Sequence, residues 1–534
     1  MTRASSRPAP PIPLWMIALL LALAALRLPA FVEPAGHDQS LYLYIGQRLL
    51  DGGVPYVDAW DQKPPLVYGI YAALWIIWPY ESVVALADLL GAAVTAYLLV
   101  GIGRRTFGGR TGGWAAAVFL LGSHPSLTRL SGVYVRGQCE VFIAAAVAAA
   151  LFVLAHERRT IWRSLLAGLW LGIAIWIKFN AVAYALPIAI AAWHWDSSSR
   201  DLTTWLKDLI VVATGVAIVS AVAMTYFAAH NGIEALKLAT IDYNVSYARE
   251  GFVGTSGPLA YLFRLPIERA SAELLWFLGG AGAAALLLAG RGVPRGSSLV
   301  VLGWIAAALV SITINARNLP QYFVQAAPAL ACAAAIGGAW AMHRSAITRW
   351  LAMAVIAAGL WRVGVSPNPI RFGEMPELAA NLAFDVNYLR GRMSRQDFLA
   401  RFKGAQKYDA LEVDRLTSLV RTTTAESDRI FVFGFSPGVY AFSGRESASR
   451  FFWSRPVIIE FAAARRGYGS TGLLHDLQQR PPALVALQKQ DWGGPGEPHS
   501  HDFFLANTGL RLWLESGYTR ESESSMFSVW RRKS

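Results

Sequence analysis

Residues 209–229 read Leu209-Ile-Val-Val-Ala-Thr-Gly-Val-Ala-Ile-Val-Ser-Ala-Val-Ala-Met-Thr-Tyr-Phe-Ala-Ala229, without one charged side chain. A helix needs about 20 mostly apolar residues to cross the hydrocarbon of a bilayer. The same signature recurs at 12–31, 83–103, 113–127, 139–155, 165–177, 181–195, 274–290, 299–314, 322–341 and 351–365, which predicts eleven spans. The count falls by one if 165–195 is a single kinked unit broken at Lys178-Phe179-Asn180. The first stretch has the length of a signal peptide, but no small-residue cleavage pattern follows and further spans do, so it reads as a retained helix. Composition agrees: 54% of the 534 residues are hydrophobic and 16% charged, with a mean hydropathy of +0.37. An ordinary soluble domain carries about 25% charged residues. Disordered and collagen-like chains are excluded. The two cysteines, Cys139 and Cys332, both sit in apolar runs, which excludes a disulfide scaffold and a cysteine-based zinc site.

The formal net charge of +13 has the size of a nucleic-acid signal, but in a polytopic chain it reflects basic residues held in cytoplasmic loops. Threading from a cytoplasmic N-terminus puts Arg104, Arg105, Arg110, Arg158, Arg159, Arg163, Arg200, Lys207, Arg291, Arg295, Arg344 and Arg349 inside. The short outer loops then hold Arg129, Arg136, Lys178 and Arg317, twelve basic residues against four. The sequence therefore predicts a multi-pass membrane protein, N-terminus cytoplasmic, with everything after Val365 extracytoplasmic, and its Ala/Arg/Gly richness points to the cell's inner (plasma) membrane. The bilayer is its first partner, and nucleic acid is not one.

The organisation predicted is a polytopic α-helical membrane module over 1–365 and a small α/β extracytoplasmic domain over 366–534. Two outer loops, 32–65 and 230–273, are long. The apolar stretch 66–78 is too short to span and reads as an interfacial or re-entrant helix. In the tail, a helix over 377–389 and strands over 429–433, 457–460, 483–487 and 526–530 alternate as an α/β domain requires.

The densest polar patch is the first outer loop: Gly36-His-Asp-Gln-Ser40, then Tyr42 and Tyr44, Gly52-Gly-Val-Pro-Tyr-Val-Asp58, and Asp61-Gln-Lys-Pro-Pro65. Its interleaved Tyr, Trp, Gly and Pro suit a folded cleft better than a solvated connector. Pro64 and Pro65 fix the backbone after Lys63 and aim the ammonium at headgroup level, where a snorkelling anchor is the alternative role. A hydroxyl attacking an anomeric carbon needs a carboxylate to take its proton. A phosphate leaving group needs cationic stabilisation, not a general acid. Glycoside hydrolysis would instead call for two carboxylates at a defined separation.

The pattern Asp38-x-x-x-Tyr42, Gly53-x-Pro55-Tyr56-x-Asp58 and Asp61-x-Lys63-Pro64-Pro65-Leu66 resembles the first outer loop of GT-C membrane glycosyltransferases. The resemblance is to the branch with protein O-mannosyltransferases, the aminoarabinose transferase and bacterial galacturonosyltransferases. It implies transfer of a sugar from a polyprenyl-phosphate donor to a hydroxyl on a lipid, glycan or protein acceptor at the outer face. Asp38 would be the catalytic base and Lys63 the residue on the lipid phosphate, with Tyr42, Asp58 and Asp61 as further substrate contacts. Weaker echoes are Arg136-x-x-x-Glu140, Lys178-Phe-Asn180 and Asn315-Ala-Arg-Asn-Leu-Pro-Gln-Tyr322. Glu140 would lie near the sugar, or be only a charge at a helix end. Arg317 and Tyr322 would bind phosphate, or act as interfacial anchors. Many relatives carry an acidic pair where this chain has Asp38-Gln39. No cofactor is named; a divalent cation stays open, since His37 beside Asp38 lacks further ligand spacing.

Three other signals carry less. Gly434-Phe-Ser436-Pro-Gly438 matches a nucleophile elbow, with Asp476 and His499 or His501 in triad order, but too little chain follows for a hydrolase sheet. A strand-to-helix turn explains the same letters. His499-Ser-His501 reads as an exposed loop, and Gly168-x-x-x-Gly172 as a helix-packing motif. A flippase or transporter of a lipid-linked sugar is the competing function, and it would place ionisable groups or broken helices at mid-membrane. A sensor with an outer ligand-binding domain would leave Asp38 to Pro65 unexplained.

Overall fold

The computed structural model describes residues 12–128, 132–156, 160–195, 201–251, 257–288, 295–315, 317–365, 373–404, 408–492 and 496–533. Of the basic residues used for orientation, Arg129, Arg158, Arg159, Arg200 and Arg291 lie outside that set. The chain divides into two compact units. One comprises Met1–Phe31, Ala85–Thr225 and Ser246–Asp385, and the other Val32–Val84, Tyr226–Val245 and Val386–Ser534.

The first unit is helical and polytopic. Each of the eleven apolar stretches contains helix among its described residues. Six described helices have the length and hydropathy to cross a membrane: Leu14–Val32, Val83–Thr106, Leu202–Ala229, Arg295–Ile314, Pro320–Met342 and Ala346–Val365. A seventh is added if Ala260–Ala270 and Leu274–Leu288, bent by 112°, form one broken span. Cys139–Leu154, Ile161–Ile177 and Phe179–His194 are apolar but shorter. Small residues set the packing. A methyl at Gly168 would fall 2.1 Å from the Val212 carbonyl oxygen, and one at Gly215 would fall 2.4 Å from that of Leu165. Ile161–Ile177 and Leu202–Ala229 therefore touch backbone to backbone, as the Gly168/Gly172 spacing predicts.

The second unit contains a five-stranded sheet: β1 (Arg429–Phe433), β2 (Glu446–Ser447), β3 (Leu484–Gln488), β4 (Tyr518–Glu523) and β5 (Phe527–Arg532), in the order β2-β1-β3-β5-β4. β1 runs parallel to β2 and β3, while β5 is antiparallel to β3 and β4. The apolar runs of β1 and β3 are buried, as central strands covered on both faces should be. The predicted strand at 457–460 is instead a helical turn, Arg455–Ile458. Pro456 has the fixed φ of a first helical turn, and the Val457 and Ile458 amides both bond the Ser454 carbonyl at 3.0 Å.

The first outer loop folds onto this sheet domain within the same unit. Its helix His37–Leu50 packs against Leu66–Ile77, and a methyl at Gly46 would fall 2.9 Å from the Tyr68 carbonyl oxygen. The Ser447 amide donates to the Tyr44 hydroxyl at 2.8 Å, and Gln47 donates to the Ala441 carbonyl at 3.1 Å. The Tyr408 hydroxyl donates to the Ala35 carbonyl at 2.7 Å. Trp453 Nε1 donates to the Trp60 carbonyl at 2.8 Å, while the Trp60 amide donates to that of Arg450 at 2.9 Å.

Candidate functional site

Asp38 lies in the first turn of His37–Leu50, capped by the extended Gly36. There the helix dipole favours a carboxylate. His37, behind it, is buried between the rings of Tyr408 and Phe435, each centroid 4.8 Å away. Burial drives its pKa down to about 4 against the opposing charge of Asp38, so the ring is neutral near neutral pH.

Lys63 is held by its backbone. Its carbonyl accepts the Tyr56 hydroxyl at 2.7 Å and lies 3.0 Å from that of Tyr68. Its amide donates to Asp61 Oδ2 at 3.4 Å, and Asp61 is also the nearer acceptor of Tyr68, at 2.7 Å. Tyr56 reaches this position with φ at +71°, a left-handed conformation that is uncommon outside glycine. The Lys63 ammonium is 5.6 Å from the centroid of the buried Tyr42 ring, within cation–π range. Asp61 is 1% exposed. Burial raises its pKa, the Asp38 charge adds to the rise, and Lys63 and the Tyr68 hydroxyl oppose it. One Tyr68 proton cannot serve two acceptors. When Asp61 carries a proton it donates to Tyr68, which frees Tyr68 to donate to the Lys63 carbonyl.

Asp38, Tyr42, Asp61 and Lys63 are thus electrically or directly in touch, with Lys63 partly exposed and clamped by two tyrosines. Asp58 turns elsewhere. Its carboxylate accepts the Val54 amide at 2.7 Å and closes the turn after Gly53.

In the membrane unit, Glu140 and Tyr322 meet through Lys178. The Lys178 ammonium is 2.7 Å from Glu140 Oε1 and 3.7 Å from the Tyr322 ring centroid. Lys178 stands in an extended conformation where Ile161–Ile177 ends and Phe179–Tyr184 begins. Beneath it, the Tyr322 carbonyl accepts Gln325 Nε2 at 2.8 Å, and Gln325 Oε1 accepts the hydroxyls of Tyr184 at 3.0 Å and Ser311 at 2.7 Å. Arg317 donates to Glu250 at 3.1 Å and lies over the Tyr247 ring.

Sequence reasoning quoted Lys178 without pairing it with Glu140, and missed the buried pair of Arg27 and Asp88. Arg27 also donates to Ser123 at 3.0 Å, and Asp88 accepts the Gly137 amide at 3.4 Å. The available signal was an ionisable residue inside an apolar run, which by default marks a paired or functional group. The elbow serine is not activated: buried Ser436 donates to Gln488 at 2.9 Å, Asp476 accepts Ser449, and His501 faces Asp502. Among the described residues, no three His, Cys, Asp or Glu side chains gather as a metal site requires.

No family model matches the sequence, and no curated protein does. Solved structures do. The chain is similar to ArnT from Cupriavidus metallidurans bound to undecaprenyl phosphate over 97% of both chains, with a TM-score of 0.62 and 15% identity. The same protein in its apo state gives a TM-score of 0.60, also at 15% identity and 97% coverage of both. A looser likeness, with a TM-score of 0.49 and 12% identity, covers 97% of this chain and 74% of an Archaeoglobus fulgidus oligosaccharyltransferase tethered with an acceptor peptide. At 15% identity it is the fold that is shared: the chain has the GT-C fold, a polytopic membrane protein with a small C-terminal sheet domain.

Proposed function

We propose that the chain is a glycosyltransferase that moves a sugar from a polyprenyl-phosphate donor to a hydroxyl acceptor at the outer face of the membrane. The observation that supports this best is the clamped Lys63 beside the buried Asp61, which in turn feels the charge of the partly exposed Asp38. The ArnT structure, of the same fold, holds a lipid phosphate of the kind the reaction would release. Asp38 takes the proton of the acceptor hydroxyl as its oxygen bonds to the anomeric carbon. The bond from that carbon to the phosphate oxygen breaks, the electron pair stays on the departing polyprenyl phosphate, and Lys63 neutralises the charge that develops there. Asp61 and the two tyrosines act as positioning residues for Lys63, with Tyr42 beneath it. In the membrane unit, Glu140 and Tyr322 are proposed substrate contacts held in place by Lys178, with Arg317 a further one. The acceptor is a lipid, glycan or protein, and the membrane is the plasma (inner) membrane.

The competing reading, a flippase or transporter of a lipid-linked sugar, draws on the buried Lys178–Glu140 pair at a helix break, a feature transporters place along their pathway. One preparation separates the two. Purified protein in liposomes is given a panel of labelled polyprenyl-phosphate sugars and a crude envelope-lipid and glycan acceptor extract. Transfer releases polyprenyl phosphate and moves label to acceptor. Translocation moves intact donor between leaflets, and an intact, relocated donor would reject the transferase.

A further inference from the structure

The ends of four helices in the membrane unit line an open pocket of about 580 Å³ with mixed polar and apolar walls. Arg105 comes from the end of Val83–Thr106, His156 from just beyond Cys139–Leu154, His194 from the end of Ala185–His194, and Arg295 from the start of Arg295–Ile314. None of the described residues lining it is acidic.

The walls are built. Ser297 donates to the Thr106 carbonyl at 3.1 Å. A methyl at Gly296 would fall 2.9 Å from His194 Cβ, so the missing side chain lets two helix ends close on each other. The Arg105 guanidinium lies 4.0 Å from the Phe152 ring centroid, donates to the Phe152 carbonyl at 3.0 Å and lies 3.1 Å from His156 Nδ1. The start of Arg295–Ile314 adds the positive end of a helix dipole.

Retention of positive loops needs charges near the membrane, but not charges of one sign gathered in a hollow, where they repel each other. The arrangement is explained by an anion. Glu140 and Phe152 stand on one helix, about 18 Å apart, so the cavity lies at the opposite helix end from the Glu140–Lys178 pair. That end carries Arg104, Arg105 and Arg295, and there Ile161 and Trp162 are exposed at 65% and 68%. A ligand with a phosphate and acyl chains matches basic hollow and apolar flank together. Basic pockets between membrane helices recognise anionic headgroups in this way.

We propose that this cavity binds the phosphate headgroup of an anionic phospholipid from the leaflet at the basic end of the helices. The test uses the full-length chain in neutral detergent, titrated with phosphatidylglycerol or phosphatidylcholine. Bound lipid is read by native mass spectrometry and stability by melting. Phosphatidylglycerol should stay bound and raise the melting temperature, while phosphatidylcholine does neither. Arg295→Glu should weaken phosphatidylglycerol binding by about tenfold or more. Arg105→Gln should do the same where it folds, and the exposed Arg295 carries the test alone where it does not. Arg349→Glu, an equal charge reversal on the surface, should leave binding intact. Equal loss in Arg349→Glu would show diffuse attraction and overturn the site. Millimolar inorganic phosphate that gives the same stabilisation and displaces the lipid would overturn the lipid assignment.

Discussion

Lys178 sits 2.7 Å from Glu140 although 38 residues separate them, and it gets there from a break in its own helix. Both side chains are nearly excluded from solvent, at 11% and 1% exposure. Removing one partner from such a pair leaves a charge stranded, at a cost of about 3–5 kcal/mol. Glu140→Gln and Lys178→Met should each destabilise the purified protein by that order in detergent denaturation. The double variant should recover most of the loss, because no unpaired charge remains. Additive losses in the double variant would contradict a direct pair.

Lys63 is the sharpest test of the chemistry. As an anchor, Lys63→Arg and Lys63→Gln would both transfer sugar almost normally. As the group that grips the leaving phosphate, Gln should lose activity severely. Arg should keep part of it, since a guanidinium binds phosphate with different reach and geometry. Donor affinity and single-turnover transfer at matched expression decide the matter, and normal single-turnover transfer by Lys63→Gln returns the residue to the anchor role.

Asp38→Asn keeps shape and removes the proposed base. Turnover should fall by about 10²–10⁴-fold while the variant remains membrane-inserted with an unchanged elution profile. Near wild-type turnover in the purified variant would sink the assignment.

His37 gives a signature in pH. Its pKa is lowered from 6.5 to about 4, so on acidification the unfolded chain takes up that proton first. The neutral ring contributes stability that is fully present above pH 6.5 and is lost as pH falls through about 4, a span worth about 3 kcal/mol. His37→Gln should flatten this part of the stability-versus-pH curve. Denaturation of both proteins from neutral pH down to pH 4 measures it, and parallel curves would rule it out.

Orientation can be checked without activity. A reporter active only outside the cytoplasm, fused after Ser534, should be active. A silent but well-expressed fusion would reject the threading that rests on the basic loops.

Much of this architecture is legible in the chain because burial in lipid leaves a continuous signal. The run 209–229 needs no partner to be read as helix, and each of its ten counterparts contains helix among its described residues as well. The loop from Asp38 to Leu66 is legible for another reason: its carboxylates, lysine and prolines are close in sequence, so their clustering shows before folding. What stays hidden depends on distant partners. Nothing near Lys178 announces Glu140, and nothing near Tyr44 announces Ser447, 403 residues on. Val457-Ile-Ile was misread because Pro456 outweighs β-branching in setting a helical turn. The strand Tyr518–Glu523, mostly exposed along its length, offers no apolar alternation to find.

The bond between Trp453 and Trp60 spans 393 residues, and that distance has a cost in time. A ribosome adding about 5–20 residues per second finishes Trp60 some 20–80 s before its partner exists. Through that interval the segment bearing Asp38 and Lys63 lacks Tyr408, Ser447 and Trp453, against which it settles in the finished molecule. The earliest-made part of the proposed site is therefore the last to be locked, and a chain cut short anywhere before the sheet domain cannot complete it.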